Sequence, residues 1–361
     1  MFCPRCYRTY EDPTHRYCPS DGAALLGVSP LDRLRSRPTA QRGAIIDDRY
    51  AIQGFVGSGG MARVYLAEDM TTRTPVAVKM LHQHWAQDDF ACERFLREVE
   101  IATTIHHPNV IRVLDAGERG DRVPYIILEF LFGESLGDLL RRDGTVETAF
   151  GLSLLRKAAA GLAAAHRAGI IHRDVKPDNL FLVGERGDPY ELKVVDFGMA
   201  KLLEGEATSA GVALGTIEYM APEQAISDTV DARTDVYGLG VVMFRMLCGR
   251  IPFDGHDSGL LIAQHVFTPP PAPRSLRPDL DPRVESVLLK ALCKDPLNRY
   301  AAMVELQEDL ERLLGERGGP LRASSPRRSP EDVYEPRNRF AATAARALRA
   351  RLEQAVVSPR P

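Results

Sequence analysis

The sequence His-Arg-Asp-Val-Lys-Pro-Asp-Asn occupies positions 172–179, and Asp-Phe-Gly follows at positions 196–198. Between them, positions 191–195 read Glu-Leu-Lys-Val-Val, a pattern that predicts a strand. The strand leads directly into Asp196, so this carboxylate is expected at a strand tip, facing a cleft. The two stretches therefore contain carboxylate, amide and ammonium side chains. We expect them on two loops, one of which directly follows the predicted strand.

This combination of groups indicates a particular chemistry. Phosphoryl transfer from ATP requires a carboxylate that orients a hydroxyl, oxygens that hold magnesium and a fixed cation near the phosphate. Positions 172–198 contain side chains of all three kinds. The sequence therefore predicts a magnesium-dependent reaction of ATP at this place.

Composition and length set limits on this interpretation. The chain has 361 residues, enough for two or three packed units, and its 44% hydrophobic and 26% charged residues are ordinary for a globular protein. The net charge of -3 gives no reason to expect nucleic acid as a partner. We see no apolar run long enough to span a bilayer and no secretory signal, so we expect a cytoplasmic protein without a membrane span.

A glycine-rich turn at 57–60, Gly-Ser-Gly-Gly, lies between strand candidates at 50–56 and 62–67. Glycines let the backbone close over phosphates without a side-chain clash, although they also build ordinary hairpins. Where a G-x-G-x-x-G pattern would have its third glycine, this chain has Ala62, which is small enough for the turn to survive.

The next predicted strand, 75–81, contains Lys79. A lysine on an interior strand is costly unless it is paired. Glu98, on a helix predicted from 89 to 104, is the expected partner. A solvated lysine at a strand edge is the alternative.

Taken in order, these motifs resemble the signature set of protein kinases. The set comprises the turn at Gly57, Lys79, Glu98, His172-Arg173-Asp174, Asp196-Phe197-Gly198 and Ala221-Pro222-Glu223. It covers about residues 48–314, and its wording is similar to that of eukaryotic-like serine/threonine protein kinases of bacteria. The resemblance implies an α+β, bilobal protein-kinase-like fold with a small β-rich N-lobe and a larger helical C-lobe.

The resemblance also implies a role for each catalytic side chain. Lys79 would hold the α- and β-phosphates of ATP, while Glu98 orients it through an ion pair. Asp174 would accept the proton of the substrate hydroxyl, and Lys176 would neutralise charge on the γ-phosphate. The residues implied as ligands of Mg²⁺, a cation that prefers oxygen, are Asn179 and Asp196.

The nucleotide pocket is implied in the same way. Its residues lie in the glycine turn, on neighbouring strands and at the hinge between the lobes: Val56, Gly57, Ser58, Gly59, Gly60, Val64, Ala77, Lys79, Leu128, Glu129, Leu131 and Phe181. Leu128 would stand at the back of the pocket, and the backbone of Glu129 and Leu131 would meet the adenine edge. A plain buried strand at 124–131 is the alternative for that part.

Further residues bear on substrate and regulation. Lys176 and Thr216 resemble those of serine/threonine-specific kinases, so the predicted substrates are proteins with serine or threonine hydroxyls. Arg173 could pair with a phosphate on the loop that follows Asp-Phe-Gly. We therefore expect activation by autophosphorylation at Thr208 or Ser209; loop hydroxyls without a role are the alternative.

Two contacts of the architecture carry over from the resemblance. Glu223 and Arg299 resemble a buried ion pair that anchors the substrate platform. Asp235 resembles a helix aspartate that accepts hydrogen bonds from the catalytic-loop backbone. Helical periodicity predicts helices at 150–168, 234–249 and 284–294.

The cysteines near the N-terminus form a separate motif. Cys3 and Cys6 have the spacing of one metal knuckle, and Cys18 begins a second in which Asp21 stands where a cysteine is usual. Zinc accepts carboxylate oxygen, and His15 competes as the fourth ligand. We expect a zinc-ribbon-like unit that docks a protein partner or regulates activity; a short tail with free thiols is the alternative.

The predicted organisation has six parts: a zinc-ribbon-like unit (1–27), a linker (28–47), the N-lobe (48–131), the C-lobe (132–314), a disordered linker (315–339) and a C-terminal helix (340–357). Apolar residues recur at every fourth position of the last helix. Such a helix docks on the core or stays free in solution, and self-association or membrane-surface contact is the alternative.

Two rival functions stay open at the level of sequence. A pseudokinase would hold nucleotide and act as a scaffold, but the chain has both Lys79 and Asp174. A small-molecule phosphotransferase could share the catalytic aspartates, but Thr216, Arg299 and the motif at 221–223 shape a platform for protein substrates.

Overall fold

The computed structural model of the chain describes residues 41–59, 62–87, 102–120, 122–184, 190–197, 217–226, 230–255 and 257–316, together with 16–20 and the single residues 3, 10, 22, 25, 31, 34, 35, 37, 39, 92, 99, 318, 321 and 322. They fall into two compact units. The first contains the described residues up to Glu134 and Leu182–Lys193. The second contains Ser135–Phe181, Val194–Gly198 as far as it is described, and the described residues from Ile217 onward.

An antiparallel sheet of six strands forms the frame of the first unit. Its strands are β1 (Ile45–Ile46), β2 (Tyr50–Ser58), β3 (Ala62–Asp69), β4 (Thr74–Leu81), β5 (Val113–Glu118) and β6 (Pro124–Glu129), in the order β1-β2-β3-β4-β6-β5. The strands predicted at 50–56, 62–67 and 75–81 are confirmed as parts of β2, β3 and β4.

Each face of this sheet carries a hydrophobic cluster. The Leu128 cluster consists of Leu31, Leu66, Ala77, Leu81, Val99, Ile126, Leu128, Phe130 and Phe132. The Ile127 cluster consists of Ile46, Tyr50, Ile52, Tyr65, Ala67, Val76, Val78, Met80, Val123, Tyr125 and Ile127. Successive residues of β6 enter the two clusters alternately, because side chains of a strand point to opposite faces.

A smaller sheet has the order β7-β8-β9, with β7 at Gly133–Ser135, β8 at Leu180–Val183 and β9 at Glu191–Val194. The strand predicted before the Asp-Phe-Gly motif is therefore confirmed as β9. It ends at Val194, two residues before Asp196.

Helices make up most of the second unit: α1 (Leu136–Asp143), α2 (Thr148–Arg167), α3 (Pro222–Ile226), α4 (Ala232–Cys248), α5 (Ser258–Phe267), α6 (Pro273–Leu276), α7 (Pro282–Ala291) and α8 (Met303–Leu313). Two 3₁₀ turns lie at Pro177–Asn179 and Pro296–Asn298. α4 is buried along almost its whole length, and α2, α7 and α8 pack against it. The helices predicted at 150–168, 234–249 and 284–294 correspond to α2, α4 and α7.

Side-chain caps fix the ends of α1 and α4. Ser135 accepts a hydrogen bond from the backbone N–H of Asp138, whose carboxylate accepts one from the N–H of Ser135 in return. Asp231 caps the first turn of α4, and Gly249, with φ of 78°, ends this helix in the left-handed conformation that glycine adopts easily. The position of α4 is important because this helix carries Asp235.

Several predicted elements lie largely outside the described residues, namely the helix at 89–104, the linker at 315–339 and the helix at 340–357. Among the described helices, none has both the length and the hydrophobicity that crossing a lipid bilayer requires. The domain boundaries stay predictions.

Candidate active site

The loop between α2 and β8 brings three predicted residues together. Lys176 Nζ lies 2.8 Å from Asp174 Oδ2. The amide Nδ2 of Asn179 donates to the carbonyl oxygen of Asp174 at 2.8 Å and to its Oδ2 at 3.1 Å. The Asp174 side chain is still 18% exposed, so this carboxylate is positioned by its neighbours and open to solvent.

A buried carboxylate from α4 holds the backbone of this loop. Asp235 accepts hydrogen bonds from the backbone N–H groups of His172 and Arg173, both at 2.8 Å. His166 Nε2 lies 2.7 Å from Asp235 Oδ2. Arg173 has φ of 63°, a conformation that costs free energy in a residue other than glycine. Asp235 therefore offsets this strain, and its predicted contact with the catalytic-loop backbone is present.

The end of β9 is tied to the same loop. The Val195 N–H donates to the Asn179 carbonyl oxygen at 3.0 Å, and His172 Nε2 lies 3.0 Å from the Val195 carbonyl oxygen. The buried Phe197 ring lies 5.0 Å from the His172 ring. Asp196, between Val195 and Phe197, is exposed and has φ of 55°. Asp196 and Asn179 therefore lie on two segments whose backbones are hydrogen-bonded to each other.

The side chains at this place fit a hard cation. The Asn179 side-chain nitrogen donates to Asp174, so the side-chain oxygen of Asn179 is the atom that can coordinate a metal ion. Asp196 adds an exposed carboxylate. Mg²⁺ prefers oxygen and is usually held by one or two protein groups together with substrate phosphates and water. Within the described ranges, no three His, Cys, Asp or Glu side chains meet as a metal site.

A buried ion pair connects α3 to the loop after α7. Arg299 Nη1 and Nη2 lie 2.7 and 2.8 Å from the two carboxylate oxygens of Glu223. The same guanidinium donates to the carbonyl oxygens of Cys293, Arg233 and Lys294. The ion pair predicted for Glu223 and Arg299 is therefore present, and every guanidinium nitrogen is hydrogen-bonded.

Two basic side chains lie near this pair: Lys294, which is half-buried, and His265, which is fully buried. Lys294 Nζ donates to the carbonyl oxygen of His265 at 2.7 Å, and burial holds the pKa of Lys294 well below its usual range. His265 Nδ1 lies 3.0 Å from the Tyr237 hydroxyl. Burial, followed by the nearby charge of Lys294, lowers the pKa of His265 to about 3. This imidazole is therefore neutral in the folded protein at ordinary pH.

In the first unit, four of the residues predicted for the nucleotide pocket share one face of the sheet. Ala77 lies opposite Leu128 across β4 and β6, and Val64 lies opposite Lys79 across β3 and β4. Ala77 and Leu128 belong to the Leu128 cluster, and Val56 and Val64 pack against it. The structure thus brings four residues predicted from separate parts of the sequence onto one surface.

The described part of the glycine turn has its own contacts. Gly57 lies opposite Val64 at the end of the β2–β3 pairing. The Gly59 N–H donates to the Ala62 carbonyl oxygen at 2.9 Å, and His82 Nε2 lies 3.0 Å from the Gly59 carbonyl oxygen. Ser58 is the last residue of β2, and Gly60 lies outside the described residues.

The predicted hinge follows β6. Glu129 is its last residue, and the Glu129 carboxylate accepts from Lys193 Nζ at 2.7 Å and from the Arg112 N–H at 2.8 Å. Leu131, two residues further on, is half-buried, and so is Phe181 on β8. The side chain of Glu129 is thereby occupied, and its backbone is the part that the prediction assigns to adenine.

Other predicted residues fall outside the described part of the chain: Cys6, His15, Asp21, Glu98, Gly198, Thr208, Ser209 and Thr216. Cys3 and Cys18 are described; they are buried in one small cluster with Leu25, and the Tyr10 hydroxyl lies 3.1 Å from Cys18 Sγ.

Sequence reasoning missed three residues with a place in this arrangement. His166 contacts Asp235, His82 contacts the glycine turn, and Gln224 Nε2 donates to the Arg173 carbonyl oxygen at 2.9 Å. Gln224 directly follows the Ala-Pro-Glu motif, which was a signal that could have found it. The contacts of the two histidines are with residues far away in the sequence.

The β-sheet unit, the helical unit and the arrangement around Asp174 are those of a protein kinase. The chain belongs to the protein kinase family, since the family model described as "Protein kinase domain" matches residues 50–310. The predicted protein-kinase fold, with a β-sheet N-lobe and a helical C-lobe, is therefore confirmed.

The most informative relatives are bacterial. Serine/threonine-protein kinase PknB of Mycolicibacterium smegmatis is 38% identical over 274 residues, which are 74% of this chain and 43% of that protein. Serine/threonine-protein kinase PrkC of Bacillus subtilis is 36% identical over 270 residues, 74% of this chain and 41% of that protein. The chain thus spans less than half the length of these curated relatives. The crystal structure of the Mycobacterium tuberculosis PknI kinase domain superposes with a TM-score of 0.61 at 27% identity, covering 76% of this chain and 99% of that one.

Proposed function

We propose that this chain is a serine/threonine protein kinase, which transfers the γ-phosphoryl group of ATP to serine and threonine hydroxyls of proteins. The observation that carries the proposal is the loop at 172–179, where a solvent-accessible carboxylate lies between an ammonium and an amide group. The names of the relatives, PknB and PrkC among them, support the choice of serine and threonine.

Each group of the loop has a task in this reaction. Asp174 orients the substrate hydroxyl and accepts its proton. Lys176, already 2.8 Å from that carboxylate, provides a fixed positive charge for the phosphoryl group during transfer. Asn179 and Asp196 would hold Mg²⁺, which would supply positive charge at the phosphates.

The first unit would bind the nucleotide. Lys79 holds the α- and β-phosphates, with Glu98 orienting it, and the turn from Gly57 to Gly60 covers the phosphates with backbone N–H groups. The adenine ring packs on the face formed by Val56, Val64, Ala77 and Leu128, while the Glu129 carbonyl oxygen and Leu131 N–H bind its edge.

A transfer assay tests the proposal. The full chain would be incubated with magnesium and ATP labelled at the γ-phosphate, with dephosphorylated casein as acceptor, and the labelled residues identified by phosphoamino-acid analysis. We expect phosphoserine and phosphothreonine, and no transfer by Asp174→Ala. If the unmodified chain binds nucleotide without transferring phosphate, it would be a pseudokinase that acts as a scaffold. Label found solely on small molecules would indicate a small-molecule phosphotransferase.

Regulation by autophosphorylation belongs to the same proposal. Arg173 lies beside the catalytic carboxylate in sequence, and its guanidinium could bind a phosphate at Thr208 or Ser209. Peptide mapping by mass spectrometry after incubation with Mg-ATP should find phosphate on one of these residues. A fully active chain with an unmodified loop would contradict this part.

The N-terminal unit is proposed to bind zinc through Cys3, Cys6, Cys18 and either Asp21 or His15, and to dock a protein partner. Burial of Cys3 and Cys18 in one cluster supports a common site. Zinc content per chain should fall in Cys6→Ser, and an unchanged content would refute the assignment. A cytoplasmic location stays a prediction that cell fractionation can check.

A further inference from the structure

Within the first unit, the range predicted as a linker makes specific contacts with the six-stranded sheet. These involve Leu31, Leu34, Arg35, Arg37, Thr39 and 41–44, which together are called the 31–44 segment. The Leu31 side chain is only 4% exposed and belongs to the Leu128 cluster, and Leu34 packs against that cluster. Two leucines from outside the sheet are therefore part of the hydrophobic packing on one of its faces.

Contacts with β2 hold the segment in this position. The Ala44 carbonyl oxygen accepts from the Ile52 N–H at 2.9 Å. Arg37 Nη1 donates to the Val56 carbonyl oxygen at 2.9 Å. Near the middle of β2, a Cβ atom added to Gly54 would clash with the Leu34 carbonyl oxygen. The backbone of the segment thus lies directly against the backbone of β2, an approach that glycine alone permits at this position.

This face is also the one assigned to adenine. Val56, Val64, Ala77 and Leu128, which the proposed function places around the base, all belong to or pack against the cluster that contains Leu31. Ala77 and Leu128 are 9% and 8% exposed, so their side chains are almost fully covered. A base that packs on these side chains needs space beside them, and two apolar groups cannot fill the same space.

We propose that the 31–44 segment is an intramolecular competitor of the nucleotide: it covers the adenine face, and nucleotide binding requires Leu31 and Leu34 to leave. This inference rests on the proposed function, since it assumes that the face binds adenine. The covered and open states are in equilibrium, and the measured nucleotide affinity is the affinity of the open state multiplied by the fraction of chains that are open. Tethering gives the segment a high local concentration without any partner.

Gly54→Ala is the sharpest perturbation of this equilibrium. The three nearest atoms to the added Cβ all belong to Leu34 and Arg35, so the new methyl group would clash with the segment. The double variant Leu31→Ala, Leu34→Ala weakens the same contact from the other side by removing apolar packing. Leu260→Ala, Leu297→Ala is the matched control, because those leucines are 56% and 77% exposed in the second unit.

The experiment is calorimetric titration of the full chain and these variants with Mg-ADP, after circular dichroism has shown that each is folded. We expect both segment variants to bind at least about tenfold more tightly than the unmodified chain, and the control to bind like it. If Gly54→Ala is unfolded, the leucine double variant tests the same prediction of tighter Mg-ADP binding.

The possible failures are distinguishable. Equal or weaker affinity in the folded segment variants would overturn the inference, since weaker binding would mean that the leucines support the nucleotide site. If the unmodified chain binds Mg-ADP tightly and no segment variant binds it more tightly, the proposed function stands and the inference alone is refuted. An absence of binding in every variant would contradict the proposed nucleotide site itself, and the inference with it.

Discussion

Replacing Arg299 with methionine would remove all but one of the hydrogen bonds described for the Glu223 carboxylate. Only the hydroxyl of Thr234, which donates to Glu223 Oε1 at 2.8 Å, would remain. The Arg299 side chain is fully buried and that of Glu223 is 8% exposed, so water cannot easily replace the lost donors. Three backbone carbonyl oxygens would lose a partner as well.

The expected cost follows from this burial. Removing one partner of a buried ion pair leaves an uncompensated charge and costs about 3–5 kcal/mol. Arg283→Met is the matched control: Arg283 also pairs with a carboxylate, at 2.7 Å from Asp281, but its side chain is 66% exposed. An exposed pair contributes little to stability, because water screens the charges and both side chains lose conformational freedom.

Urea denaturation followed by far-ultraviolet circular dichroism gives the free energy of unfolding for each variant. The double variant Glu223→Gln, Arg299→Met should lose less stability than the sum of its single variants, because it leaves no buried carboxylate without a partner. A loss for Arg299→Met as small as that for Arg283→Met would refute the reasoning.

Two further predictions follow from the second unit. The folded-state pKa of His265, about 3, lies below its ordinary value of 6.5, so the unfolded chain binds a proton that the folded chain does not. The contribution of His265 to the free energy of unfolding is therefore complete above about pH 6.5 and is lost as the pH falls toward 3. Lowering the pH from about 7.5 to about 5 should reduce the free energy of unfolding by about 2 kcal/mol. His265→Gln should remove this part of the pH dependence. Asp235→Asn would place an amide donor against a loop N–H and should reduce turnover by about 100-fold with unchanged Mg-ADP affinity, measured by steady-state kinetics and calorimetry; a change in affinity alone would contradict this positioning role.

The local parts of the fold could be predicted because their signals are local. Short apolar runs around the glycine turn predicted β2, β3 and β4, and helical periodicity predicted α2, α4 and α7. The grouping of Asp174, Lys176 and Asn179 was equally accessible, since these side chains belong to one short loop. Their spacing of two to five residues leaves little freedom once Pro177 begins a 3₁₀ turn.

Contacts between distant positions required either the family resemblance or the structure. The bonds from Asp235 to the loop join residues about sixty positions apart, and only the resemblance suggested them. The approach of Leu34 to Gly54 had no sequence signal, because it is a backbone contact that depends on a missing side chain. The arginines and prolines between 28 and 47 are typical of a linker, so the composition did not predict that Leu31 is buried.

The central claim is that the carboxylate of Asp174 serves phosphoryl transfer, and a matched pair of variants tests it most directly. Asp178, four residues further on, is an exposed aspartate of the same loop whose carboxylate pairs with Arg141 at 3.0 Å. The measurement is the rate of label transfer from Mg-ATP to casein by Asp174→Asn and Asp178→Asn. We predict a loss of about 100- to 10,000-fold for Asp174→Asn and a rate near that of the unmodified chain for Asp178→Asn. Equal rates for the two variants would contradict the account.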